Sequence, residues 1–398
     1  MNNARLSPIE SSERIHSIDV IRGLAILGIF LVNMPSFYAP ILYLNPAEWW
    51  SGGLNQGTNT FIDIFAQASF YTLFSFLFGF GMILFKERAL AKGYSFYPLI
   101  SRRLFVLLLL GCIHAFLIWH GDILISYAIV GAVFLIFHKS KPLTLLIWAL
   151  CLIFIPSILF ACLMFIAIMF APEVSDIAFN EQLALASAQV YSSGSFAEVT
   201  LQRITDWYFV NNLANGFFLI VTLLPMFLLG AYIAKTKMFS NVEGNLKKIK
   251  ILWGISLLIG VPIKLLPYIT SKNVATDFLQ DTIGGPGTAM FYATSIVLLM
   301  RLQLWRKILS PLASVGRLSL SNYLFQSILC TILFYGYGFG LYGKVEPFTG
   351  LLLAIAIFIL QIFLSTIWLK KFRFGPVEWI WRSLTYLQKV EIRKKVIR

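Results

Sequence analysis

The chain has 398 residues, of which 58% are hydrophobic and only 13% are charged. Soluble domains carry about a quarter charged residues, so this composition excludes an ordinary soluble protein and favours a lipid environment. The formal net charge of +14 would suggest a nucleic-acid ligand in a soluble protein. Here the position of the charges along the chain matters more than their sum, and we expect no nucleic-acid partner.

The hydrophobic residues form separate, continuous runs of about 20 residues, the length that crosses the hydrocarbon core as an α-helix. Transmembrane barrels show short alternating segments instead. We therefore predict an all-α, polytopic transmembrane helical bundle of about ten helices. The predicted spans are residues 19–37, 62–85, 103–119, 122–138, 142–170, 213–234, 250–268, 286–301, 312–333 and 348–369.

The distribution of lysine and arginine supports this count. With the N-terminus inside, the basic clusters fall in segments 1–18, 86–102, 139–141, 235–249, 302–311 and 370–398. The intervening segments contain only Arg203, Lys272 and Lys344 as basic residues. Cytoplasmic loops collect lysine and arginine, so the pattern predicts that both ends of the chain are cytoplasmic. The lipid bilayer is then the first partner of the protein.

The spans divide the chain into four parts. Residues 1–170 form an N-terminal transmembrane half of five helices, and residues 213–373 form a C-terminal half of five more. Between them, residues 171–212 form an acidic external loop that could cover an opening. Residues 374–398 form a cytoplasmic interfacial amphipathic helix and a basic tail.

The interfacial helix has a specific local chemistry. Pro376 suits its first turn, and Glu378 complements the positive end of its dipole. Trp379 is an aromatic residue that favours the headgroup zone, and Arg382 follows it one turn later. Two interpretations stay open, a membrane anchor and a cytoplasmic lid over a binding site to which Trp379 and Arg382 contribute.

Polar residues within the spans form a first group near the cytoplasmic side. Asp19 and Arg22 are three residues apart, so they share a helical face and can form an ion pair. Arg102 and Arg103 begin the third span, and Arg317 begins the ninth. Arginines at such helix ends commonly anchor topology. If they converge on a cavity, they would instead bind phosphates.

A second group is predicted nearer the external side. It contains Asn33, Asp63, His114, His120, Asp122, Ser319, Asn322 and Gln326. Two histidines and a carboxylate within nine residues are the components of a general base. A histidine bonded between helices and an aspartate that caps the fourth helix are the structural alternatives.

Four cysteines lie inside apolar runs and lack the spacing of metal ligands, so we expect neither a metal site nor a disulfide framework. They are Cys112, Cys151, Cys162 and Cys330.

Several motifs, spread over nearly the whole chain, also resemble a known family. They are residues 18–23 (Ile-Asp-Val-Ile-Arg-Gly) with Asn33, residues 73–79, residues 102–104 through His114 to 121–124, residues 316–323 with Gln326, and residues 375–379. Their order and content resemble the YeiB-type bacterial multi-pass membrane proteins, whose conserved region is the domain of unknown function 418. More distantly, the chain is similar to the lysosomal heparan-glucosaminide acetyltransferases.

This resemblance implies a transmembrane acyltransferase in a bacterial plasma membrane. Such enzymes take acyl-coenzyme A from the cytoplasm as a co-substrate and acylate a sugar-like or lipid acceptor near the other face. In the heparan-type enzymes the catalytic histidine lies in the first external loop, and residues 38–61 here contain none. His114, near the external end of the third predicted span, is the candidate whose depth in the membrane is nearest to that loop.

The leading hypothesis assigns three roles to these residues. Coenzyme A phosphates meet the arginines of the first group, and His114, assisted by Asp122 or His120, deprotonates an acceptor hydroxyl or amine. Asn322 and Gln326 orient the acyl group or the acceptor. A small-molecule or lipid transporter and a non-catalytic lipid-binding or sensory protein are the alternatives. The sequence leaves a homodimer open.

Overall fold

The computed structural model describes residues 14–171 and 179–394. Residues 1–13, 172–178 and 395–398, which include part of the predicted acidic loop and the end of the basic tail, lie outside the described residues.

Helices dominate the described part of the chain. The N-terminal half contains α1 (His16–Tyr38), α2 (Pro46–Trp49), α3 (Gly53–Phe65), α4 (Ser69–Ala91), α5 (Phe96–Ile113), α6 (Leu124–Phe134) and α7 (Pro142–Phe170). The remainder contains α8 (Glu181–Ser193), α9 (Phe196–Asn211), α10 (Leu213–Lys235), α11 (Leu246–Ile269), α12 (Val274–Leu279), α13 (Gly285–Leu299), α14 (Gln303–Arg317), α15 (Ser319–Phe334), α16 (Pro347–Lys371) and α17 (Pro376–Tyr386). Two π turns, His114–Ile118 and Gln280–Gly284, extend α5 and join α12 to α13.

Among the described residues, eight segments are long and apolar enough to cross a membrane. They are His16–Tyr38, Gly53–Ala91, Phe96–Ile118, Pro142–Phe170, Leu213–Lys235, Glu243–Ile269, Val274–Leu299 and Pro347–Lys371. The helices α6 and α15 are apolar but shorter. These segments confirm the predicted class, a helical membrane protein. The count of ten spans and the side on which the ends lie stay predictions.

Two predicted spans are interrupted in the structure. The second breaks between α3 and α4, where Ala68 has a positive φ of 58°. The ninth, predicted over residues 312–333, divides at Leu318 into α14 and α15. Leu318 leaves the helical conformation, and the side chain of Glu378 accepts hydrogen bonds at the new N-terminus of α15. Hydrophobicity alone did not reveal this break.

The predicted acidic loop is largely helical where it is described. Ser195 and Glu198 form a reciprocal capping box that starts α9. In α8 the ring of Tyr191 is buried against Tyr335 and Tyr342. The two helices therefore cover the end of the bundle at which α1 and α15 finish. We call this the opposite end, and the end where α1 begins the basic end.

The helices α1 and α14 touch backbone to backbone. A Cβ atom on Gly316 would lie 1.9 Å from the carbonyl oxygen of Asp19, and one on Gly23 would lie 2.0 Å from that of Leu312. Only glycine permits this approach, so the Arg-Gly pair at residues 22 and 23 combines a charged side chain with a packing surface.

Replacing Gly316 with alanine should therefore lower the thermal unfolding midpoint in detergent. A methyl group in this contact has no room, and overpacking costs roughly 1–3 kcal/mol. Gly254→Ala in α11 is the matched control, because nothing lies within 4 Å of the added Cβ. Equal midpoints for the two variants, measured by differential scanning fluorimetry, would contradict the proposed contact.

Candidate functional site

A cavity of about 350 Å³ opens at the basic end of the bundle. Its wall is built from α1, α4, α5, α6, α15 and α17, together with the end of α14. This volume lies within the range of about 300–1,000 Å³ that is usual for small-molecule sites. The cavity is therefore the main candidate for a ligand site in the described part of the chain.

The mouth of the cavity is strongly cationic. Seven basic side chains among the described residues contribute to its lining: Arg14, Arg22, Arg88, Lys92, Arg103, Arg317 and Arg382. The acidic ones are Asp19 and Glu378. Asp19 accepts hydrogen bonds from Arg14 and Arg22, each at 3.4 Å, so the predicted pairing of Asp19 and Arg22 is present. The excess of positive charge favours an anionic ligand group.

The deep part of the cavity is mainly apolar. The side chains there are Ile26, Ile29, Phe74, Phe78, Leu107, Leu124, Tyr127 and Tyr323. A ligand that fits both parts carries negative charge at one end and an apolar or weakly polar body at the other.

Helix α17 closes one side of the mouth. The carboxylate of Glu378 accepts hydrogen bonds from the backbone N–H groups of Leu320 and Ser321, and from the hydroxyl of Ser321. Burial raises the pKa of Glu378, and these donors oppose that rise. Glu378 thus lies in the first turn of α17, as predicted, and in addition caps α15.

A stack of side chains holds α17 on α5. The guanidinium of Arg103 lies 3.7 Å from the ring centre of Trp381, whose indole N–H donates to the carbonyl of Arg103 at 2.8 Å. Cation–π contacts of this kind are strongest when they are desolvated. Since Trp381 and Arg382 also line the cavity, this arrangement favours the lid interpretation of α17.

A buried polar relay lies beyond the deep end of the cavity. Nδ1 of His114 is 2.8 Å from Oδ1 of Asp122, and Nε2 is 2.9 Å from Oγ of Ser327. The backbone N–H of Ile125 donates to the other oxygen of Asp122 at 2.8 Å. His114 is fully buried, and it is the first residue of a π turn, a distortion that is frequent at functional sites.

Tyr323 connects the cavity to this relay. Its ring forms part of the cavity lining and lies 5.0 Å from the ring centre of His114. The hydroxyl of Tyr323 donates to the carbonyl of Gly121 at 3.2 Å. Tyr323 is therefore the floor that separates the cavity from His114.

Sequence reasoning missed Ser327. Its position relative to Tyr323, four residues later in the same helix, was the available signal, because such residues share a helical face. Ser319, predicted with the external group, instead lies beside Arg317 in the cavity wall at the basic end. It is the first residue of α15, so it lies two turns before Ser327, the residue that bonds His114.

Asn322 and Gln326 lie between α15 and α16 and not in the cavity wall. The amide of Asn322 donates to Ser365 Oγ at 3.0 Å, and that of Gln326 donates to Gln361 Oε1 at 2.8 Å. Polar groups that bond across helices in this way stabilise packing in membranes. The contacts occupy the groups that we expected to orient a substrate.

Two residues of the predicted phosphate group lie outside the cavity wall. Arg102 is partly buried, and its Nε donates to the carbonyl of Pro98. Trp379 is partly buried, and its indole N–H donates to the carbonyl of Val390 at 2.7 Å. Helical geometry explains both positions, because adjacent residues of a helix point in different directions. Arg103 and Glu378 face the cavity, so Arg102 and Trp379, which adjoin them in sequence, point away from it.

His120 belongs to a separate network at the opposite end. It lies 3.4 Å from the hydroxyl of Tyr191 and 3.8 Å from the carboxylate of Asp206. Burial lowers the pKa of His120. The ring of Trp119 neighbours both histidines, at 6.1 Å from His114 and 5.6 Å from His120. The structure thus joins His114 to Asp122 and keeps His120 apart.

Asn33 and Asp63 are also outside the cavity wall. Asn33 is partly buried on α1. Asp63 on α3 accepts hydrogen bonds from Tyr268 and Gln280, and lies 3.8 Å from the ammonium of Lys272. No cluster of three or more metal-ligating side chains occurs within the described ranges, and the four cysteines are free thiols.

Comparison with known proteins places these features in a family. Residues 233–388 match the model of the "Protein of unknown function (DUF418)" family. A Bacillus subtilis strain 168 protein, "Uncharacterized protein YxaH", is 42% identical over 98% of this chain and 98% of its own length. An "Uncharacterized 39.9 kDa protein in amylase 3'region" of Bacillus acidopullulyticus is 32% identical over 98% of this chain and 99% of its own length. The "Uncharacterized protein YeiB" of Escherichia coli K12 is 30% identical over 94% of this chain and 96% of its own length.

Glu378→Ala should loosen α17 and the first turn of α15 together. Hydrogen bonds to a charged group contribute roughly 1.5–3 kcal/mol each, so amide hydrogen exchange over residues 376–386 should accelerate by roughly 10-fold or more. Lys389→Ala, at an exposed position beyond α17, is the control. Unchanged exchange in the Glu378 variant would show that the carboxylate does not hold the lid.

Proposed function

This chain belongs to the YeiB-type DUF418 family, and since the names of its relatives state no activity, we propose from the geometry of the site that it is a transmembrane acyltransferase. It would move an acyl group from cytoplasmic acyl-coenzyme A to an acceptor hydroxyl or amine. One observation carries this proposal. A single cavity leads from a cationic mouth to the ring of Tyr323, which packs on His114.

Acyl-coenzyme A matches both parts of the cavity. Its phosphates complement the basic side chains at the mouth, and arginine is well suited to phosphate because its guanidinium donates in a planar fork. The pantetheine arm and a short acyl chain complement the apolar interior. The nucleotide would remain at the mouth, beside Arg382 of the lid.

His114 is the proposed proton acceptor. Asp122 orients the imidazole and stabilises its protonated form, the role that a carboxylate plays beside a catalytic histidine. A general base of this kind contributes roughly 100- to 10,000-fold in rate. The acceptor, sugar-like or lipid, would approach from the opposite end, and the basic end would face the cytoplasm in agreement with the positive-inside rule.

Binding of acyl-coenzyme A to the purified protein tests the proposal, and two adjacent arginines provide a matched pair. Arg103→Ala should weaken binding of acetyl- and palmitoyl-coenzyme A by roughly 10- to 100-fold, as expected for loss of a charged hydrogen-bonding group. Arg102→Ala should leave the dissociation constant unchanged, because Arg102 lies outside the cavity wall. Isothermal titration calorimetry in detergent measures both.

Absence of binding by the folded protein, or equal weakening in the two variants, would contradict the proposed donor site. Amide hydrogen exchange of the cavity-lining helices in nanodiscs distinguishes a further outcome. If phosphatidylglycerol slows this exchange and acyl-coenzyme A does not change it, the cavity is a lipid-headgroup site instead.

A second candidate function, transport, is favoured by a different feature. Lys264 of α11 is almost fully buried, and its ammonium lies 3.5 Å from Asp281 in the second π turn. Ion pairs inside membrane helices often belong to ion or proton pathways. The break at Ala68 lies beside this region, since a Cβ on Gly285 would lie 2.7 Å from that of Ala68. Interrupted helices are common at transporter sites.

Proteoliposomes with an internal pH dye distinguish the two functions. If the protein couples transport to protons, a membrane potential should drive proton entry without any acyl donor, and Asp281→Asn should abolish it. Glu243→Gln, whose carboxylate pairs with Arg301 at an exposed position, is the control. As an acyltransferase, the protein should show no proton entry above that of empty vesicles.

A further inference from the structure

The protonation of the relay follows from its hydrogen bonds. The carboxylate of Asp122 can only accept, so Nδ1 of His114 carries the proton of their 2.8 Å bond. In a neutral imidazole Nε2 is then unprotonated and accepts from the hydroxyl of Ser327 at 2.9 Å, a shorter contact than the 3.4 Å from that hydroxyl to the carbonyl of Tyr323. The order Asp122, His114, Ser327 is that of a catalytic serine triad, which is recognised by geometry and not by sequence position.

Two features hold this order in place. The N–H of Ile125 fixes the second oxygen of Asp122. Gly111 lies against the start of α6, and a Cβ there would lie 2.7 Å from the nitrogen of Ile125 and 3.1 Å from the carboxylate of Asp122. The close approach that positions Asp122 therefore depends on the absence of a side chain at residue 111.

While Ser327 is unacylated, the same geometry leaves His114 no free nitrogen to take a proton from an acceptor. Both ring nitrogens are engaged in hydrogen bonds, and the proton nearest to Nε2 is that of Ser327. Ser327 is 1% exposed, and Tyr323, one turn earlier on α15, separates it from the cavity. The Tyr323 side chain must change rotamer for a thioester in the cavity to reach Oγ.

We propose that Ser327 is the nucleophile of a two-step transfer in which the acyl group rests on its Oγ between donor and acceptor. This inference depends on the proposed acyl donor. In the first step Oγ adds to the thioester carbonyl as its proton moves to Nε2 of His114. The carbon–sulfur bond breaks, and the thiolate leaves with that proton as free coenzyme A.

The second step reverses the roles. The acceptor hydroxyl or amine gives its proton to Nε2 and attacks the acyl-serine ester. The bond between the acyl carbon and Oγ breaks, and Oγ regains the proton. Water can replace the acceptor, so the protein should also show slow acyl-coenzyme A hydrolysis when no acceptor is supplied.

The test is detection of the acyl-enzyme. The purified protein is mixed with acetyl- or palmitoyl-coenzyme A and quenched in acid, and the peptide that spans residues 319–334 is examined by mass spectrometry. We expect a burst of free coenzyme A stoichiometric with protein and an acyl group on Ser327. Ser327→Ala and His114→Ala should lose both and still bind the donor. Thr331→Ala, one turn further along α15 and bonded to its own helix backbone, should retain both.

Turnover of Ser327→Ala at the rate of the unsubstituted protein would overturn the inference and leave the proposed function standing. A fluorophosphonate probe separates the two ideas further, because it needs no acyl donor. Labelling of Ser327 that disappears in His114→Ala supports an activated serine even if acyl-coenzyme A does not bind. Binding of acyl-coenzyme A without labelling or acylation of Ser327 would rule out the covalent route.

Discussion

The backbone contact between α1 and α14 is the constraint on which the site depends. Gly23 and Gly316 allow the two helices to approach without intervening side chains. As a result Arg22 and Arg317, each adjacent to one of these glycines, face the same space. A side chain at either glycine would separate the helices and widen the mouth. These two arginines thus share the mouth because two uncharged residues bring their helices together.

Charge and burial change in opposite directions along the cavity. At the mouth, like charges face one another, an arrangement that an anionic ligand stabilises and water otherwise screens. At the floor, the relay of Asp122, His114 and Ser327 is buried, and its members are joined by hydrogen bonds. A site of this kind binds its ligand by electrostatics at one end and performs proton transfer in a low dielectric at the other. Tyr323 stands at the boundary between the two regions.

The sequence predicted those features that depend on local rules. Apolar runs of membrane-crossing length predicted the helical class, and the three-residue spacing of Asp19 and Arg22 predicted their contact. It did not predict the break at Leu318, because that break is stabilised by Glu378, 60 residues later. Ser327 was missed for a similar reason. Its spacing from Tyr323 places both on one helical face, but nothing local marks that face as functional, because its partner His114 is 213 residues away.

The most direct measurement is a cryo-electron-microscopy structure of the protein with a non-hydrolysable thioether analogue of acyl-coenzyme A. The proposed function predicts density that begins among Arg22, Arg103 and Arg382, continues through the apolar interior and ends beside Tyr323. Density on another face of the bundle, or a cavity filled by phospholipid in the presence of saturating analogue, would contradict the assignment of this cavity as the acyl-donor site.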